Sequence, residues 1–214
     1  SWKNGKFAYS GPDVGFVAQI TPIDFTPKPF PDLNDASDEQ LIEFLAHPSA
    51  VYRLHSQWEF LRRKVTPDNL SKLLMLAQSP NTPDYGRVAA IYTLKQAIPA
   101  ANQMLIQTMK DPAIREYAIR AVTDRRSQLE GLNAELFIPL LKDEDPRVRG
   151  QALIALGRLG DPAAGKYILP LTVRNDAYPK PTEEPLYKQP DPGRVIPHLA
   201  VRALQACNAS EACL

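Results

Sequence analysis

The chain has 214 residues, a formal charge of +1 and 44% hydrophobic residues, which bounds it to one large globular domain or one domain and part of a second. Lysine and arginine total 25 against 24 acidic residues, a balance that argues against a dedicated nucleic-acid binder, since those carry a clear basic excess. No apolar run approaches the ~20 residues of a membrane-spanning helix.

In chain order, residues 1–36 come first and read as an extended linker or the remnant of a preceding β domain. Trp2, Phe7, Tyr9, Phe16, Phe25 and Phe30 crowd into this stretch. Lys6–Ser10 and Gly15–Thr21 are expected as two short strands around a Gly11-Pro12-Asp13 turn. Pro22, Pro27, Pro29 and Pro31 then hold the chain extended. The chain opens on Ser1 with no charged segment leading into an apolar one, so no signal peptide is read. An excised fragment or a mature form is expected.

Residues 37–214 are organised by a repeat. In KDEDPRVRGQALIALGRLGDPAAG, residues 142–165, Asp145 is a good N-cap and Pro146 suits the first helical position. Val148, Ala152, Leu153, Leu156 and Leu159 follow at helical spacing, and Gly160 ends the run before Asp161-Pro162 opens another. The pattern arginine, small residue three on, apolar residue seven on recurs. It appears as Arg53/Ser56/Phe60, Arg87/Ala90/Leu94, Arg115/Ala118/Val122 and Arg149/Ala152/Leu156. It returns at Ala200/Leu204, with Pro197 in place of the arginine. The intervals are 34, 28, 34 and 48 residues, the last lengthened by an insertion.

Each arginine-bearing segment (B) follows another apolar-periodic segment (A), at 38–46, 67–78, 100–110, 134–142 and 163–173. A lone A–B hairpin cannot bury both its faces; stacked pairs make one continuous core. The expected fold is therefore all-α, a right-handed α-solenoid of about five helical hairpins. The aspartates four residues before Arg115 and Arg149, Asp111 and Asp145, are placed to pair with them along the helix. The insertion, RNDAYPKPTEEPLYKQPDPG at 174–193, holds five prolines and reads as stiff and extended. Tyr178 and Tyr187 are its candidate docking side chains. Cys207 and Cys213 are six apart, about 9 Å along a helix axis, and are expected as free thiols.

Residues 133–165, through LLKDEDPRVRGQALIALGRLGDPAA, resemble a HEAT-type repeat, including the phycobilisome-lyase-like subclass. GPDVGFVAQITP, a Pro-rich connector and SDEQLIEFLAHPSAVYRLHSQWEFLRR are similar to part of large bacterial multidomain proteins. There a β-propeller resembling quinoprotein sugar dehydrogenases runs into HEAT repeats. This resemblance covers about the first 65 residues and implies a periplasmic or extracellular context. The propeller's catalytic and cofactor residues lie outside this chain.

Chemistry-bearing motifs are few. His47, His55 and His198 form no His-x-x-x-His or His-Glu-x-x-His pair, so no metal is expected. No Gly-x-Ser-x-Gly or glycine-rich phosphate loop occurs. No catalytic residue and no cofactor is assigned, and the chain is not expected to be an enzyme. One constellation remains, two and five residues after each repeat arginine position: His55/Trp58, Ala89/Tyr92, Tyr117/Arg120, Gln151/Ile154 and Leu199/Arg202. Four further on come Arg62, Gln96, Asp124, Arg158 and Ala206. These share one face of each B helix and would align along the inner surface of a solenoid. Trp58, Arg62, Tyr92, Tyr117, Arg120, Arg158 and Arg202 are therefore the candidate binding residues, types enriched at interaction hot spots. Trp58 also falls at helical spacing with Leu54 and Leu61, which favours a core position.

The function expected is a non-catalytic protein-interaction or scaffold module, whose partner is a protein or a neighbouring domain. The alternatives are a nucleic-acid-binding HEAT protein like the alkylpurine DNA glycosylases, with Asp124 beside Arg120 and Trp58, and a chromophore-lyase-like HEAT protein.

Overall fold

The helix-start signals act as their chemistry requires. In α1 (Asp38–Leu45) Ser37 and Gln40 form a reciprocal capping box, with Ser37 N donating to Gln40 Oε1 at 2.8 Å. In α3 (Pro67–Gln78) Thr66 caps and Pro67 takes the first helical position. In α7 (Pro146–Leu159) Asp145 accepts from Arg147 N, and Gly160 closes the helix in the left-handed region at φ 72°. The remaining helices are α2 (Ala50–Arg63), α4 (Asp84–Ala97), α5 (Asn102–Ile106), α6 (Arg115–Val122), α8 (Gly165–Ile168) and α9 (Pro192–Ala206). This computed structural model describes residues 2–3, 6–7, 20–26, 29–174 and 192–214.

The chain divides into two units, Ser1–Asp32 and Leu33–Leu214. In the first, β1 (Trp2–Lys3) and β2 (Lys6–Phe7) pair antiparallel, Trp2 opposite Phe7. Lys6–Phe7 pairs with Trp2–Lys3, a strand not expected from the sequence pattern, while most of the strand expected at Gly15–Thr21 lies outside the described residues. Asn4-Gly5 between them is the strongest two-residue hairpin signal, stronger than Gly11-Pro12-Asp13. Residues 8–19 lie outside the described residues, as do Tyr178 and Tyr187 of the insertion.

The second unit is an α-solenoid of five stacked pairs. α1 packs on α2, α3 on α4, α5 on α6, the segment Pro139–Lys142 on α7, and Leu169–Thr172 on α9. Successive B helices α2, α4, α6, α7 and α9 pack side by side. The core runs through all five pairs, from Leu41 and Phe60 through Ile91, Leu94, Ile119 and Val122 to Leu153, Leu156 and Ala200. The later A segments are not regular helices. Residues 107–110, 134–136, 139–142 and 169–172 are 3-10 turns. Pro139 and Pro170 explain the last two, because a proline in a short helix removes an N–H from the α ladder.

The repeat arginines bond mainly outside their own helices, although Arg87 also approaches Asp84 of its own helix at 3.6 Å. Arg115 donates from Nε to Met109 O at 2.9 Å and from Nη2 to Lys110 O at 3.1 Å, then reaches Asp143 in the next pair at 2.5 Å. Arg87 holds Ala77 O at 3.1 Å and Asp111 of the next pair. Arg149 holds Asp143 O and Glu144 O. Arg53 holds His47 O and Pro48 O, and lies 4.7 Å from the ring centroid of Tyr85 in the next pair. The Asp111–Arg115 and Asp145–Arg149 pairings expected from spacing are therefore replaced. The guanidinium turns back onto the carbonyls ending the preceding A segment, which carry unsatisfied acceptors and the negative end of the helix dipole. Asp111 and Asp145 instead accept from the backbone N–H two residues on.

The outer side of the first pair is finished differently. Positions Thr93, Ala121, Ala155 and Ala203 are buried in their B helices; in α2 the equivalent is Glu59, buried under Arg62 and Arg63. Arg63 also donates to Leu33 O, Asn34 O and Ala36 O, tying the chain ahead of α1 to the end of α2. This gives the first pair of the second unit a polar finish of the kind that terminal repeats carry.

Two outcomes follow. Arg87→Ala should lower unfolding free energy by about 2–3 kcal/mol, because it leaves Asp111 and a helix-end carbonyl unpaired; urea denaturation reads this, and an unchanged midpoint would mean the ladder is ornamental. The Arg62 hydrogen bond, with Arg63 adding to it against the opposing effect of burial, pulls the Glu59 carboxyl from the ordinary 4.5 to about 2. A depressed carboxyl contributes stability that is complete above the unfolded value and is lost as pH falls from 4.5 through about 2. Glu59→Gln should flatten the acid limb of stability in that window, as followed by circular dichroism.

Candidate functional site

The B-helix face is built by register. On α7, a Cβ at Gly150 would lie 3.3 Å from Leu199 Cδ1, and one at Gly157 would lie 3.2 Å from Ala203 Cα. α7 and α9 thus run parallel and close, and the side chains two, five and nine residues past the repeat position point away from the A layer. α6 and α7 are parallel too, since Arg147 reaches Glu116 at 3.5 Å and Arg158 donates to Thr123 O at 2.6 Å.

The structure distributes the seven candidates as follows. Trp58 is 54% exposed on α2, tilted against His55 at 5.0 Å. The core position favoured by its spacing is overturned, because Ser56 and Phe60 take the buried face of that helix and Leu54 is itself exposed. Arg62 is exposed but engaged by Glu59 through two hydrogen bonds. Tyr92 and Tyr117 are half-buried, and Arg120 and Arg202 exposed. Neither arginine makes an ion pair among the described residues. Arg158 is half-buried and uses Nη1 on Thr123 O.

Tyr92, Tyr117 and Arg120 are brought together around Asp124. Burial raises the Tyr92 phenol above its ordinary value, opposed by the Arg120 cation and reinforced by Asp124, Glu116 and Tyr117. Trp58 is not part of that group, since α4 packs between α2 and α6. Beside Tyr92 a polar cavity of about 200 Å³ is lined by Lys95, Gln96, Asp124, Arg125 and Gln128. Lys95 is buried, and desolvation lowers its pKa. Its ammonium is held by Pro99 O, Asn102 Oδ1 and Gln128 O, so it joins α4 to the third pair rather than facing a ligand.

A larger groove, about 380 Å³ and mainly apolar, lies across α6, α7 and α9, where Ile154, Val195 and Leu199 form its apolar wall and Glu116 and Arg147 its polar edge. Spacing placed Ile154 and Leu199 on this face, but not the groove. Its one trace in the sequence is Gly150 and Gly157, seven apart on α7, which lets α9 approach.

Metal and thiol chemistry find no scaffold among the described residues, where no group of three or more histidine, cysteine, aspartate or glutamate side chains converges. His47 Nδ1 accepts from Ser49 N and stacks on Tyr52. The Cys207 thiol is buried, pushed up in pKa by desolvation, and donates to Leu156 O. No helix among the described residues is long and apolar enough to cross a membrane.

Stacked helical hairpins with a shared core and a guanidinium ladder define an α-solenoid repeat protein. More specifically, residues 98–179, the third and fourth pairs and the start of the fifth, are similar to HEAT repeats. No curated protein matches the chain.

Because the Arg120 cation favours the phenolate, Arg120→Ala should raise the Tyr92 pKa further. Ultraviolet titration of the phenols, with Tyr92→Phe to assign the group, measures this; an unshifted titration would separate the two side chains.

Proposed function

We propose that the chain is a non-catalytic protein-interaction module that binds through its B-helix face. The observation that carries this is the set of aromatic and arginine side chains on one face of successive B helices, two of whose arginines, Arg120 and Arg202, have no ion pair among the described residues. An exposed cation without a partner contributes little to folding, whereas tyrosine, tryptophan and arginine dominate interface energetics. The similarity of residues 98–179 to HEAT repeats supports the same reading, since such repeats generally serve as interaction scaffolds. The resemblance of the first 65 residues to bacterial propeller–HEAT proteins supports a wider setting, a helical module within a larger periplasmic or extracellular dehydrogenase-like protein. Its partner would then be a neighbouring domain or a second protein.

The nucleic-acid reading is disfavoured by the near-neutral charge and by the separation of Trp58 from Asp124. The lyase reading has no supporting feature beyond repeat similarity.

A photo-reactive phenylalanine analogue at Tyr117 or Arg202 should give polypeptide adducts in the native host. The same group at Met75, exposed on α3 in the A layer, should give none. Adducts from both layers alike, or from neither, would remove the B face as the binding surface.

A further inference from the structure

The B-helix face is not uniform, and its asymmetry narrows the partner. The apolar groove occupies the N-terminal half of α6, α7 and α9, walled by Ile154, Val195 and Leu199. One helical turn further along each helix stands an arginine. Arg120 is four residues past Glu116, Arg158 four past Ile154, and Arg202 three past Leu199. Because the three helices are parallel, Arg120 and Arg202, each five residues past its repeat position, flank Ile154 at one level, and Arg158 stands about one 5.4 Å turn beyond them, so the three arginines cluster at the C-terminal end of the groove. Arg120 and Arg202 have no ion pair among the described residues, and Arg158 engages only Thr123 O. The nearby carboxylates are Glu116, which Arg147 approaches at 3.5 Å, and Asp124. The cluster therefore presents net positive charge beside an apolar slot, in a chain that is nearly neutral overall.

Resting on the interaction reading above, we propose that the α6–α7–α9 surface binds an acidic, extended polypeptide segment. A large aliphatic or aromatic side chain fills the groove, and carboxylates beside that anchor meet Arg120, Arg158 and Arg202. Charge complementarity selects the acidic partner: guanidinium forks suit carboxylates, and arginines contributed by three adjacent helices suit a chain running across them. The apolar wall selects a polypeptide over a nucleic acid. Stacking platforms and many phosphate contacts serve nucleic acids; this surface offers aliphatic side chains, three arginines and no lysine.

The test is fluorescence anisotropy on the full chain with four labelled probes. They are an acidic peptide with a central leucine–phenylalanine anchor, the same peptide with an alanine pair, the same anchor flanked by lysines, and a DNA oligonucleotide in single- and double-stranded form. The anchored acidic peptide should bind at least about tenfold tighter than every other probe. Arg120→Glu combined with Arg202→Glu, both exposed sites, should weaken it by about tenfold or more, with thermal unfolding unchanged. Val195→Glu, on the exposed edge of the groove, should abolish the advantage of the anchor. Equal binding of the lysine-flanked peptide, tighter binding of the oligonucleotide, or no peptide binding would overturn the proposal. If adducts still form at Tyr117 while the acidic peptide fails, the B face remains an interaction surface and only this partner chemistry falls.

Discussion

The solenoid depends on one recurring contact, an arginine near the start of four B helices that closes its own pair and, from Arg53, Arg87 and Arg115, reaches the next. Arg87 and Arg115 each take a carbonyl ending the preceding A segment and a carboxylate in the following turn. A helix end leaves carbonyls without internal partners, and a guanidinium has donors enough for two directions at once. Apolar stacking alone would let neighbouring pairs slide. Arg87 and Arg115 fix their register, because each satisfies groups on both sides of a pair boundary. Tyr85 substitutes for the aspartate above Arg53, giving the ring face where the other pairs give a carboxylate. In the fifth pair Pro197 stands where the arginine would be, and there close packing of Gly150 and Gly157 against α9 takes over.

That register has a functional consequence. Parallel B helices held at fixed offsets convert a sequence period into a surface, on which every side chain at a given offset joins a row. Arg120 and Arg202 come from the same offset in pairs far apart in sequence, and Arg158 from one turn further along its helix. The groove beside them exists because Gly150 removes a Cβ where α7 meets α9. A scaffold of this type can change its partner by substitution along the rows while the ladder and core stay fixed, since the two sets occupy opposite faces of the same helices.

The ends show the same economy of design under different constraints. At the first pair the position that elsewhere packs on a preceding helix carries Glu59, neutralised by Arg62 and Arg63. Burying a lone carboxylate is costly, so both arginines are needed, and Arg63 then has donors left for the chain ahead of α1. Arg62, which the repeat places on the binding face, is thereby committed to Glu59, and it is the weakest of the seven candidates. Trp58 moved the other way, from an expected core position to the surface.

Sequence alone determined the number of pairs, the identity of the B helices and the caps that open and close α7. Those features rest on interactions a few residues apart, where aspartate, proline and glycine act through their own geometry. It also placed Tyr92, Tyr117, Arg120, Arg158 and Arg202 on a common face, since helical periodicity fixes direction without knowing neighbours. Tertiary structure decided what each arginine pairs with. Spacing favoured Asp111 for Arg115, but Asp143 lies in reach only once the next pair stacks. It likewise decided that Lys95 is a buried tie between pairs. The groove across α6, α7 and α9 was the least legible feature. Its walls come from helices far apart in sequence, and only packing brings them to one place.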